Sequence, residues 1–267
     1  MKVINPETND GGNLEDHGNI KAFDPRAGRH DWSNENAWLA DMSLKAWADN
    51  IKLALGGGKE GKKTLVLIVG GVNFVSGSSV NGSSLESKIN NWAETSKTKN
   101  VVTKTFSSQY DEDALICAQM LIFIAENVTK DVDDLQIILV GYSWGGDTQL
   151  ELTDILNSCT KPIPVDLVVT VDPADGPFAH NSDSPYKIAD NVKRAINYYQ
   201  PNVESISYSG NTQITPMNGI PNPNYVNIPV TDADAFKSKF LKISHQNINE
   251  VVAPRVFNNV VNRIINR

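Results

Sequence analysis

Two hydrophobic periods alternate along the chain. Thr64-Leu65-Val66-Leu67-Ile68-Val69 is a continuous apolar run of strand length, and 101–106, 135–140, 165–171, 195–199 and 225–230 read as further strands. Helical spacing falls between them. A helix is expected near Ser84 to Glu94, and a second from about Glu112 to Val128 is apolar on nearly every side, which implies burial. A third follows residue 146, with Leu152, Ile155 and Leu156 on one face. A closing helix over 248–266 carries Ile248, Val251, Val252, Val256, Val260, Ile264 and Ile265. Parallel neighbours need crossover connections, so this alternation predicts an α/β fold: a mostly parallel sheet of about six strands with helices on both faces.

The first part of the chain follows a different pattern. Residues 1 to about 32 are rich in Asn, Asp, Gly and Pro without sustained periodicity and read as an irregular arm. Trp38, Met42, Leu44, Trp47, Ile51 and Leu55 then recur at spacings of three and four and stop at Gly56-Gly57-Gly58, the signature of an amphipathic helix. The expected organisation is an arm plus packed helix over 1–60 and one α/β domain over 61–267. The stretch 200–224, rich in Pro, Asn, Ser and Gly, is the longest unstructured connection expected after residue 145, and long connections of this kind serve as lids or mobile surface.

Composition narrows the partners. Formal net charge is −7, with 24 Lys and Arg against 31 Asp and Glu and no basic stripe, which argues against nucleic acid. Cys117 and Cys159 lie in apolar helical contexts without CxxC spacing, so both are expected to be core thiols rather than a disulfide or zinc ligands. No run approaches 18 consecutive apolar residues, so no integral membrane segment is expected, while transient membrane contact stays open. The N-terminus has no 7-to-15-residue apolar stretch behind its lysine; a cytoplasmic protein is expected, and an effector exported without a leader would look the same.

Chemistry concentrates at Gly141-Tyr142-Ser143-Trp144-Gly145, directly after the apolar run 135–140. Strand, Gly-x-Ser-x-Gly and helix in this order read as a nucleophile elbow, a tight turn holding the Ser143 hydroxyl over the end of a sheet. Serine alone is a poor nucleophile and requires a base. Of four histidines, His17 and His30 lie in the irregular arm, and His180 falls in a Pro/Ser/Asp-rich loop. His245 lies between the last strand candidate and the closing helix and is the expected base, with His180 as its rival. Asp172 ends an apolar run just before Pro173 and is the expected acid, ahead of Asp175, Asp183, Asp232 and Asp234; the last two are expected to start a short helix at Ala235. Backbone N–H groups of Trp144 and of either Val72 or Asn73, just beyond the first strand's Gly70-Gly71, are the candidate oxyanion donors.

On these residues the chain resembles a serine hydrolase of the α/β-hydrolase superfamily, with 141–145 as its elbow. The segment Thr170-Val171-Asp172-Pro173-Ala174 is similar to the one that carries the acid in pancreatic-type lipases, and the short interval from Ser143 fits that group. The resemblance covers roughly 64–267 and implies a cofactor-independent, metal-free esterase or lipase using Ser143, His245 and Asp172 on small-molecule or lipid esters. Neither the cysteine framework nor the added lipid-binding domain of that group is present. Only Ile206, Ile214, Met217 and Ile220 could make the 200–224 loop an apolar lid, which weighs against an interfacial lipase. A thioesterase or amidase would use the same residues, and a binding protein on the same fold is the rival from another class.

Two further patterns mislead. Gly56-Gly57-Gly58-Lys59-Glu60-Gly61-Lys62-Lys63-Thr64 nearly spells a phosphate-binding loop, but it precedes a strand and has Lys63 where Ser or Thr should hold magnesium. Ser96-Lys97-Thr98-Lys99 fits Ser-x-x-Lys without its companion motifs.

Overall fold

Aliphatic and β-branched runs form the central strands because both faces of the sheet are covered, and buried polar positions among them, Thr64, Gln136, Thr170 and Asn197, are hydrogen-bonded. In the computed structural model, which describes residues 62–71, 82–98, 100–107, 114, 117–118, 121–122, 124–125, 134–174, 186–202 and 213–266, strand β1 is Lys63–Gly70, buried throughout. Helix α1 (Gly82–Thr95), β2 (Val101–Ser107), β3 (Leu135–Tyr142), α2 (Trp144–Ser158), β4 (Leu167–Val171), β5 (Lys187–Ile188) and β6 (Ala195–Tyr199) follow. Last come β7 (Thr215–Pro216), β8 (Tyr225–Pro229), α3 (Asp232–Lys237) and α4 (Ile248–Ile265). The arm and helix expected over 1–60 lie outside the described residues.

Six strands pair in the order β2-β1-β3-β4-β6-β8, every pair parallel. From β1 the chain steps to β2 on one side, then returns to place β3 on the other. The carboxyl ends of β1 and β3 therefore flank the point where the winding reverses, the crevice at which open α/β sheets hold their ligands. Strand periodicity of two splits the core. Leu65, Leu67, Val69, Ile137 and Leu139 face Leu152, Ile155 and Leu156 of α2 and the buried helical positions Cys117, Ala118, Leu121 and Ile122. Val66, Ile68, Ile138 and Val140 face Ile89 of α1 and Val252, Val256, Val260 and Ile264 of α4. Both cysteines are buried, as expected of core residues.

The connection 200–224 departs from expectation. It contains β7, which pairs in parallel with β5 as a second, two-stranded sheet. Ile214, a candidate lid residue, is 2% exposed in the core, its N–H donating to Asn227 Oδ1. An apolar side chain in a polar stretch is as readily a core anchor as a lid, and here the half-buried Asn227 amide bonds both the N–H and the carbonyl of Ile214. Met217 and Ile220 are exposed beyond β7, whose partner β5 leads into the amino end of β6, so they lie away from the crevice. Ile206 lies outside the described residues. No described helix is long and apolar enough to cross a membrane.

Leu139 sits in the middle of β3 with no exposed surface. Leu139→Ala should lower unfolding free energy by about 2–5 kcal/mol, measured by denaturant titration; a change under about 0.5 kcal/mol would mean that this face is not close-packed.

Candidate active site

Strand β3 ends at Tyr142 and α2 begins at Trp144, leaving Ser143 alone to turn the chain. It does so at φ 56, ψ −130. A non-glycine residue at positive φ costs about 1–3 kcal/mol and persists only where its surroundings over-determine it. The surroundings are close. Ser143 N–H donates to the carbonyl of Val171 at 3.1 Å, and its own carbonyl accepts from Gly146 at 2.8 Å and Ala174 at 3.1 Å. A Cβ on Gly145 would lie 2.2 Å from the carbonyl oxygen of Val69, and one on Gly141 2.3 Å from that of Gly145, so the motif's flanking residues must lack side chains. A strained serine in a strand-to-helix turn, at the reversal point of a six-stranded parallel sheet covered on both faces, decides the architecture. This is an α/β-hydrolase fold.

The next strand in the chain, β4, leads into a buried polar residue. Asp172 follows β4 at φ 44, fully buried, its N–H held by the carbonyl of Tyr198 at 2.6 Å. One carboxylate oxygen, Oδ1, accepts the Gln200 N–H at 3.3 Å, and Oδ2 lies 2.8 Å from His245 Nδ1. His245 Nε2 lies 2.8 Å from Ser143 Oγ. With Nδ1–H donating to the carboxylate, Nε2 carries the lone pair that accepts the serine proton, so the tautomer follows from the partner of the other nitrogen. His245 is buried, its side chain 10% exposed.

His245 sits in the turn before α4, and side chains replace regular structure there. Asn247 accepts the Ser244 N–H at 3.0 Å and donates to the Lys242 carbonyl at 2.9 Å, closing the turn around the histidine. Asp232 Oδ1 accepts the Ile243 N–H at 2.8 Å. From the elbow itself, the Tyr142 hydroxyl donates to the His245 carbonyl at 2.5 Å, and its ring stacks on the imidazole with centroids 5.2 Å apart and planes 20° from parallel. Asp234 ties α3 to α4: the Thr231 N–H and the Arg255 guanidinium bond its carboxylate and hold its pKa below the usual carboxylate range.

The structure thus brings Ser143, Asp172 and His245 into one chain of hydrogen bonds. Trp144, buried, is the first residue of α2, so its N–H is among the amides that no intrahelical carbonyl satisfies. Gly71 lies against Ser143, with a built Cβ only 2.7 Å from the serine Cβ; Val72 and Asn73 lie outside the described residues, as do His17, His30, His180, Asp175 and Asp183. Asp232 and Asp234 occupy the first turn of α3, as their spacing suggests. Tyr142, Asn247 and Gln200 were not singled out from sequence. Asn247 had a signal, an Asn just before a helical run; Tyr142 fills a variable position of the elbow, and Gln200 acts through its backbone, so neither had one.

No protein-family model matches the chain, nor does any curated protein in sequence. Among solved structures, Est1E from Butyrivibrio proteoclasticus is similar over 78% of this chain and 90% of its own, at 10% identity and a TM-score of 0.38. A cutinase-like protein from Cryptococcus sp. is similar over 78% and 98%, at 13% identity and 0.38, and the NocB thioesterase domain of the nocardicin cluster over 71% and 87%, at 11% and 0.35. At such TM-scores these likenesses decide nothing; strand order, elbow and helices on both faces define the α/β-hydrolase fold here.

Gly145→Ala should destabilise the protein by about 1–3 kcal/mol or more, because the added methyl meets backbone rather than a side chain able to move away. Denaturant unfolding checks this, and unchanged stability would mean that α2 does not approach β1 as closely as described.

Proposed function

We propose that the chain is a serine hydrolase that cleaves carboxylic esters through an acyl-enzyme on Ser143, with no cofactor or metal in the reaction. The observation that carries this reading is the hydrogen-bonded series from Ser143 Oγ through His245 to the buried Asp172. Ser143 Oγ attacks the ester carbonyl carbon while Nε2 of His245 takes the hydroxyl proton. The tetrahedral intermediate collapses, the carbon–oxygen bond to the alcohol breaks, and the imidazolium returns the proton to the departing oxygen. Water then enters, gives a proton to Nε2 and attacks the acyl carbon; collapse releases the carboxylic acid and restores the Ser143 hydroxyl. Asp172 stays ionised, fixing the tautomer and stabilising the imidazolium. The Trp144 N–H at the head of α2 stabilises the oxyanion, helped by the helix dipole, and the second donor belongs to the segment after β1, at Val72 or Asn73.

Strain at Ser143 and Asp172 supports the same reading. Two non-glycine residues at positive φ, each at the carboxyl end of a neighbouring strand and both bonded to one histidine, are hard to explain by stability alone. Small-molecule or lipid esters are the proposed substrates.

Ser143→Ala should fold and lose ester turnover by roughly 10⁵-fold or more; His245→Ala should match it, and the double variant should be hardly worse, because groups acting as one unit are not additive. A folded Ser143→Ala retaining more than about a tenth of wild-type turnover would remove Ser143 from the reaction. Asp172→Asn should cost about 10³–10⁴-fold, since an amide can stabilise the wrong tautomer. Turnover should also fall on acidification, as Nε2 must be unprotonated to act as base; a rate that rises steadily into acid would contradict that role.

A further inference from the structure

Attack by Ser143 passes through a charged histidine. As Oγ bonds to the acyl carbon its proton moves to Nε2 of His245, so a neutral imidazole becomes a cation and is neutral again once the proton is given up. A group that binds the cation better than the neutral ring speeds this step, whereas a group that binds both equally does not. Asp172, 2.8 Å from Nδ1, is one such group, and it reaches the ring at its edge.

The face of the imidazole is met by a different residue. Tyr142, half-buried at the end of β3, stacks on His245 with ring centroids 5.2 Å apart and planes 20° from parallel. An aromatic face carries negative charge density and attracts a cation within about 6 Å of its centroid, most strongly where water is excluded. His245 is buried, so a cation formed there has little water to stabilise it. The stack is also held in place: the Tyr142 hydroxyl donates to the His245 carbonyl and fixes the phenol to the histidine backbone. Hydroxyl and ring therefore have separable tasks. One locates the turn, and the other faces the group that becomes charged.

We propose that Tyr142 is a positioning residue of the reaction whose ring, acting through His245, stabilises the imidazolium as it forms. This rests on the serine-hydrolase reading above and adds a second group that favours the charged ring. Three residues from three places then surround the imidazole: Asp172 after β4 at Nδ1, Ser143 of the elbow at Nε2, and Tyr142 of β3 on the face. Of these only Asp172 is charged, so the aromatic face supplements the carboxylate without adding a second buried anion.

The test uses the rate at which a fluorophosphonate labels Ser143. In that reaction Oγ bonds to phosphorus, fluoride leaves and Nε2 takes the same proton, so no substrate need be known. Rates are measured at about pH 8.5, where an ordinary imidazole is uncharged at rest. The proteins compared are the wild type, Tyr142→Phe, Tyr142→Leu, and chains carrying 4-fluoro- or 3,4,5-trifluorophenylalanine at position 142. Fluorine withdraws negative charge from the ring face with little change of shape, so the rate should fall stepwise from Tyr142→Phe through the monofluoro to the trifluoro protein. The trifluoro protein and Tyr142→Leu should be roughly 5- to 30-fold slower than Tyr142→Phe. Tyr142 packs against the apolar core, so if Tyr142→Leu loses cooperative thermal unfolding the fluorinated pair, which keeps that packing, decides. Equal rates across Tyr142→Phe and the fluorinated proteins overturn the role of the ring, even if Tyr142→Leu is slow, and leave Ser143 as nucleophile. A wild type that is not labelled at Ser143 overturns the serine-hydrolase reading and this inference with it.

Discussion

The site depends on how closely α2 approaches β1. Gly145 lets the helix backbone come to where a Cβ would be 2.2 Å from the Val69 carbonyl oxygen, and Gly141 lets β3 come equally near the helix's first turn. With strand and helix that close, one residue must reverse the chain between them, and Ser143 does so at positive φ. The same contact sets where the hydroxyl stands, which amides surround it and how near Gly71 comes. Strain of about 1–3 kcal/mol is stored there because the sheet and helix leave no alternative path.

His245 is positioned by different means. No regular element contains it; a turn built from side chains does, with Asn247 closing it, Asp232 holding its entry and Tyr142 fastening its carbonyl to the elbow. The histidine is thus referenced to the residue next to the serine it bonds. At the far end of α4, Arg263 reaches Asp166 just before β4 at 3.1 Å, so the helix that follows His245 and the strand that precedes Asp172 are also tied. A displacement of α4 would be felt at both ends of the hydrogen-bonded chain.

Much of this was legible in the sequence, for reasons that differ by element. The central strands read clearly because a parallel sheet covered on both faces demands unbroken apolar runs, and β6 spans the same residues 195–199 as expected. The Gly-x-Ser-x-Gly turn was legible because steric necessity selects glycine at two fixed positions. Asp172 and His245 were reached from chain order and their places after a strand and before a helix, which locates a residue but not its partners. The two-residue strands β5 and β7 were not legible: they are too short for a period, and the buried Ile214 is held by a hydrogen bond to Asn227 on the following strand, which leaves no local pattern. Tyr142 could not be read either, since stacking on a histidine about a hundred positions away leaves no local pattern.

The central claim is that Ser143 is a nucleophile activated by His245. Treating the native protein with a fluorophosphonate, digesting it and locating the phosphonyl adduct by mass spectrometry tests this without knowledge of the substrate. The account predicts one adduct, on Ser143, which is slowed by orders of magnitude in His245→Ala and absent from Ser143→Ala. An adduct on another residue, or labelling of Ser143 at the same rate without His245, would contradict it.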